Sequence, residues 1–151
     1  MGDRTNVTLN LAKCSLEKAK SLIDDIEGNQ AEEWLIDGTD DEMISFSWDE
    51  VNYTDLGFEN TLQENNIPYD KEWGDGHDFF AGEEYFRVDS NGETTMSTIE
   101  NSSVGLIDFE KVKEASKKDI DAVKTLIADY ETENYVMPWR EQVKILAISS
   151  Q

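Results

Sequence analysis

The chain has 151 residues, 34 of them Asp or Glu against 13 Lys or Arg, a formal charge of −21, and a surface of that sign is repelled by nucleic acid and by anionic membranes. A hydrophobic fraction of 38% with four Trp, five Tyr and six Phe excludes a disordered acidic polymer, and the length suits one domain that buries about two thirds of the surface its unfolded form exposes. Cys14 is the only cysteine, which excludes an internal disulfide and a cysteine-rich metal site.

Val7, Leu9 and Leu11 alternate with Asn6, Thr8 and Asn10, the period of a half-buried strand. The same start has no continuous apolar core of a signal peptide, and no later segment is apolar for long enough to span a bilayer, so a cytoplasmic protein is expected. Leu16, Ala19, Leu22, Ile23 and Ile26 then recur at helical spacing, with Ser15 placed as N-cap and Gly28 as the stop. Trp34 to Ile36 reads as a short strand. Asp37-Gly38-Thr39-Asp40-Asp41 is the turn into 43–51, where Ile44, Phe46 and Trp48 alternate with Ser45, Ser47 and Asp49.

Phe58 and Leu62, four apart, predict a short helix over about 55–64. Pro68 confines Ile67-Pro68-Tyr69 to an edge or to the start of a strand. Tyr85, Phe86 and Val88, the turn Asp89-Ser90-Asn91-Gly92 and the run 94–99 give the clearest hairpin, with Asn-Gly at its tip. From Leu106 to Tyr135 the period returns to helix, with Ile107, Val112, Ala115, Ile120, Val123, Leu126, Ile127 and Tyr130 as the buried stripe. Pro138 ends it, and Val143, Ile145, Leu146 and Ile148 form a last strand or a tail packed on the core. The order predicts an α+β single domain over residues 1–151, an antiparallel sheet with ferredoxin-like βαββαβ element order plus an extra hairpin and a long C-terminal helix.

The charge is not spread evenly. Twenty-three acids lie between Asp24 and Glu100, where only Lys71 and Arg87 are basic, so that block alone carries −21, while residues 1–23 sum to +2 and residues 101–151 to −2. Self-repulsion of this kind costs stability, and the lysines used freely at 111, 113, 117 and 118 are withheld from the block, which marks it as a surface for a basic partner. Asp37, Asp40, Asp41 and Glu42, the pair Asp49 and Glu50, Asp55, Glu59, then Asp70, Glu72, Asp75 and Asp78, and finally Glu83 and Glu84 supply its carboxylates. Trp73 and Phe79 are the apolar anchors, with Phe80 and Trp48 in the same block. Carboxylates two apart on a strand are spaced roughly 6.6–7 Å, and 23 charges equal about 12 base pairs of duplex.

Other chemistry is thinly signalled. Asp70, Glu72, Asp75, His77 and Asp78 gather on one glycine-rich loop, but their spacing fits neither an EF-hand nor a paired-histidine metal site, so no metal and no cofactor is expected. Cys14 stands between a strand and a helix start, where it would serve as a nucleophile only with His77 beside it. There is no phosphate-binding loop and no nucleophile elbow, and no enzymatic activity is expected.

In residues 24–100 the chain resembles, by composition, the small acidic inhibitors made by phages, plasmids and toxin systems: anti-restriction and anti-CRISPR proteins and the immunity proteins of nuclease toxins. The resemblance implies a non-enzymatic inhibitor in the host cytoplasm whose acidic face occupies the basic nucleic-acid site of a nuclease or of a CRISPR or restriction effector. Two other readings stand beside it: an immunity protein or acidic chaperone for one cognate basic toxin, and a small metal-dependent enzyme built around Cys14 or His77. The near-neutral helical segment 106–135 is left as scaffold or homodimer contact.

Overall fold

A computed structural model describes residues 2–28, 30–100 and 107–150. The chain runs β1 (Arg4–Ala12), a 3-10 turn (Lys13–Ser15), α1 (Leu16–Leu22), β2 (Gln30–Leu35), β3 (Glu42–Asn52), α2 (Glu59–Glu64), β4 (Tyr69–Trp73), β5 (Gly82–Val88), β6 (Thr94–Glu100), α3 (Phe109–Lys118), α4 (Ile120–Glu133) and α5 (Trp139–Ser149). The strands form one antiparallel sheet in the order β2-β3-β1-β4-β5-β6. The expected α+β class and antiparallel sheet are present. Contacts group the chain into two compact units, residues 1–102 with 137–151 and residues 103–136.

The alternation of Val7, Leu9 and Leu11 puts all three on one face of β1, where they are fully buried. With Ile44, Phe46, Tyr69, Phe86 and Val88 from neighbouring strands, Leu9 and Leu11 receive Leu16 and Ala19 of α1, Ile23 and Ile26 after it, and Leu62 of α2. Because directly paired residues share a face, Lys71, opposite Leu9 and Glu84, belongs to this buried side. The other face carries Thr8, Asn10 and Ala12. At the Ala12 end it is covered by α5, whose Val143, Trp139 and Leu146 pack on Ala12, Ile36 and Met43.

Three local expectations are corrected. First, α1 ends at Leu22 because Ile23 is already extended (φ −132°, ψ 110°), so Gly28 is not its stop. Gly28 is required instead by a close approach: a Cβ there would lie 2.4 Å from the Ser47 carbonyl oxygen. Second, the long C-terminal helix is two. Asp119 is extended (φ −165°, ψ 176°) and accepts from the Ala122 N–H at 2.8 Å, so it caps a new helix, α4, immediately after α3. Asp108 caps α3 in the same way, and Leu106, where the helical stripe was read to begin, lies outside the described residues. Third, the terminal apolar run does pack on the core, through Val143 and Leu146, but as the helix α5 with Pro138 at its N-cap rather than as a strand.

Pro68 precedes β4, which lies inside the sheet between β1 and β5, so the proline marks a strand start. The β5–β6 turn is built on Asp89, whose carboxylate accepts the Asn91 and Glu93 N–H groups at 2.8 Å each, while Gly92 takes φ +81°. A side chain with Cβ would be strained at that angle.

Candidate functional site

The two cations of the acidic block are both turned inward. Lys71 is 6% and Arg87 3% exposed. Lys71 Nζ donates to Glu59 Oε1 at 2.9 Å and lies 3.6 Å from Glu84 Oε1. Gln63 donates to the Tyr69 hydroxyl at 2.8 Å, and that hydroxyl donates to Glu84 at 2.6 Å. Glu59 also takes the Leu56 N–H at 3.0 Å. Burial acts to raise its pKa, but the Lys71 ammonium and the Leu56 N–H outweigh it and the carboxyl stays below its ordinary range. Burial, then the Glu84 charge, pushes the Tyr69 phenol up.

Arg87 sits in a second closed arrangement. Its Nη2 is 2.6 Å from Asp70 Oδ1, Nη1 donates to the carbonyls of Tyr69 and Phe86, and Nε donates to that of Met137. The guanidinium lies 4.4 Å above the Trp139 ring, whose Nε1 donates to Asp70 Oδ2 at 2.7 Å. Burial raises the Asp70 pKa in spite of Arg87. Glu59, Asp70 and Glu84, read from the sequence as contact carboxylates, are therefore internal partners of these cations. Among the described residues no positive side chain of the block 24–100 faces solvent.

Nine of the remaining acids fall at two ends of the sheet. Asp37, Asp40, Asp41 and Glu42 surround the β2–β3 turn, beside the Ala12 end of β1, where Ala12 pairs with Met43. Lys13 pairs there with Glu33 and Glu42 at 2.7 Å each. Asp49 and Glu50 lie in the last residues of β3 and Asp55 follows it, at the opposite end, where Arg4 pairs with Asn52 and contacts Glu50 at 3.0 Å. Asp75 and Asp78 join them, since the Gly74 N–H bonds the Asn6 carbonyl and the Asp78 N–H bonds Asp3 Oδ2. The two groups are roughly 26 Å apart, the length of β1 at about 3.3 Å per residue.

Glu72 and Glu83 stand directly opposite each other on β4 and β5, on the sheet face away from the main core. Asn10 Nδ2 donates to Glu72 Oε1 at 3.0 Å and the Tyr85 hydroxyl donates to Glu83. Burial, followed by the Glu83 charge, raises the Glu72 pKa.

Trp73 and Phe79 are not free anchors. The Trp73 indole donates to the Phe80 carbonyl at 2.9 Å and clasps the 74–81 loop, and the Phe79 ring packs against Gly76. Trp48 packs edge-on against Phe58 at the margin of the core. The exposed aromatic of the loop is Phe80, and Trp34 of β2, which sequence patterning treated only as strand, is exposed as well. Trp34 stands over a cleft of about 370 Å³.

Cys14 lies at the Ala12 end of β1 and His77 at the Arg4 end, so the strand separates them. The thiol pKa is raised, chiefly by burial, the opposite of an activated nucleophile. Asp75 is occupied with the Ala81 N–H at 2.7 Å, and no group of three or more His, Cys, Asp or Glu among the described residues is placed to hold a metal ion. No helix among them is long and apolar enough to cross a membrane. Comparisons of the chain with family models, with curated proteins and with solved structures return no match.

Proposed function

We propose that the protein is a non-enzymatic, cytoplasmic inhibitor that places its acidic exterior in the basic nucleic-acid site of a nuclease or of a CRISPR or restriction effector. The observation that carries this reading is the internalisation of Lys71 and Arg87. A chain that needed acidity only for solubility could leave lysines among its carboxylates at no electrostatic cost. Here every cation of the block itself is withdrawn from the surface, and its exposed carboxylates outnumber the flanking Arg4, Lys13 and Lys20 that pair with four of them. A site evolved to neutralise phosphates meets such a surface favourably, and the attraction is long-ranged and screened by salt. The separation of the two acidic ends corresponds to roughly eight base-pair steps of duplex, at about 3.4 Å each.

The scaffold supports a ferredoxin-like reading of the first half. The strand order β2-β3-β1-β4, with α1 between β1 and β2 and α2 between β3 and β4, is that of a split βαβ core, and β5 and β6 extend it at one edge.

The test is cleavage of duplex DNA by a panel of purified restriction nucleases and guide-RNA effector complexes with the protein added. Inhibition of at least one member, relieved by excess cleavable duplex substrate and weakened at least about tenfold between 50 and 200 mM salt, is expected. Inhibition of none of them, or inhibition indifferent to salt and to competing duplex, defeats the reading.

A further inference from the structure

Of the two sheet edges, β2 and β6, only one is furnished as a binding site. Among the described residues β2 pairs with β3 alone, so along its other side alternate N–H and C=O groups lack a strand partner, and the strand carries no Pro or Lys to block pairing. Beside it lies the cleft walled by Trp34, Ile36, Met43, Pro138 and Trp139, with Arg140 at its rim. Trp34 is 43% and the adjoining Leu35 62% exposed. The cleft that reaches β6, at Met96, is lined mostly by polar groups, among them Asp55, Glu59, Lys71 and Glu84, and offers an apolar side chain no comparable seat.

The charges beside β2 select the occupant. Glu33 is matched by Lys13, whereas Glu32 and Asp37 have no cationic partner among the described residues. Arg140, also without a carboxylate partner among them, would repel a cation from the cleft itself. We propose that the β2 edge captures an extended segment of a basic protein as a seventh antiparallel strand. An arginine or lysine of that segment sits opposite Glu32 and an apolar side chain enters the cleft opposite Trp34. Main-chain bonds hold the added strand and the alternating side chains give it register. A second copy of this chain is a poorer occupant, because it brings Glu32, Glu33 and Asp37 against themselves in a molecule of charge −21. The inference rests on the proposed function only in taking the partner to be basic.

The probe is the fluorescein-labelled peptide acetyl-Thr-Val-Leu-Lys-Arg-Val-Thr-amide, which in antiparallel register sets Leu against Trp34 and Arg against Glu32. Two N-methylated versions, one methylated at both Val and the Lys and the other at the Leu and the Arg, block hydrogen bonding from alternate sides of the added strand. Anisotropy titration should show saturable binding, with one N-methylated version at least about tenfold weaker than the other, and Trp34→Ala, an exposed position, should weaken binding by a similar factor. Absence of binding, equal affinity of the two methylated versions, or indifference to Trp34→Ala overturns the proposal. So does sedimentation showing a dimer that Trp34→Ala dissociates. Because the peptide has no nuclease activity, these outcomes are independent of the cleavage panel, and either reading can fail while the other stands.

Discussion

The side-chain amide of Gln142 bonds both backbone groups of Val88: its Oε1 accepts the Val88 N–H at 3.0 Å and its Nε2 donates to the Val88 carbonyl at 2.9 Å. β4 begins at Tyr69 opposite Phe86, so Val88 has run past the end of its neighbour and would otherwise leave a donor and an acceptor unpaired under α5. Gln142, fully buried, supplies the missing rung. Gln142→Leu should therefore cost about 2–4 kcal/mol in urea unfolding, the scale of two buried unsatisfied backbone groups. Gln142→Glu should also destabilise, because a carboxylate cannot donate to the Val88 carbonyl.

Lys71→Met leaves Glu59 and Glu84 in the core without their cation, a loss of about 3–5 kcal/mol on the scale of broken buried pairs. Adding Glu59→Gln and Glu84→Gln to that variant should recover most of it. The pH profile gives a second readout. The folded pKa of Glu59 is held below its ordinary 4.5, so its contribution is complete above that value and disappears as pH falls through the folded value. Thermal unfolding between pH 7 and pH 3 should show a loss in the parent protein that is reduced in Glu59→Gln.

Glu72→Gln should act in the opposite sense. Two carboxylates directly across a strand pair repel, and the Glu72 pKa is raised, so this group favours the fold below its ordinary 4.5 and the benefit is lost as pH rises through the folded value. The glutamine oxygen can still accept the Asn10 amide. A gain of up to about 1 kcal/mol is expected at pH 7, kept to the lower end by solvent screening, and it should vanish below pH 4.5.

Charge reversal at the two ends of the sheet tests how much of a partner the protein spans. Asp40→Lys with Asp41→Lys, and separately Asp49→Lys with Asp78→Lys, should each weaken inhibition at least about tenfold. Combined, their free energies should add, because the sites are far more than about 10 Å apart. Lys111→Glu with Lys118→Glu should change it little. Intact inhibition in both reversal pairs would remove the electrostatic mechanism.

Legibility in the sequence followed period and turn chemistry. The Asp89–Glu93 turn and the alternation along β1 were readable because glycine, asparagine and strict period two leave few alternatives. The break at Asp119 was hidden because the apolar stripe runs on through Ile120 without losing its helical phase. The helix α5 was ambiguous because Val143, Ile145, Leu146 and Ile148 satisfy periods of both kinds. Composition could not separate Glu59, Asp70 and Glu84 from their exposed neighbours, since one carboxylate reads like another. One signal was available: Tyr69, Lys71 and Trp73 alternate onto a single face, so a lysine between two aromatics demanded buried carboxylates to receive it.

Between Lys20 and Lys111 the polypeptide offers trypsin two bonds only, after Lys71 and after Arg87, and both side chains are sealed within the sheet. A protease of that specificity must unfold the sheet before it can recognise either position, while the flanks remain open to it. Native digestion should cut only in the flanks and leave residues 21–111 as one uncut stretch bearing nearly all of the negative charge.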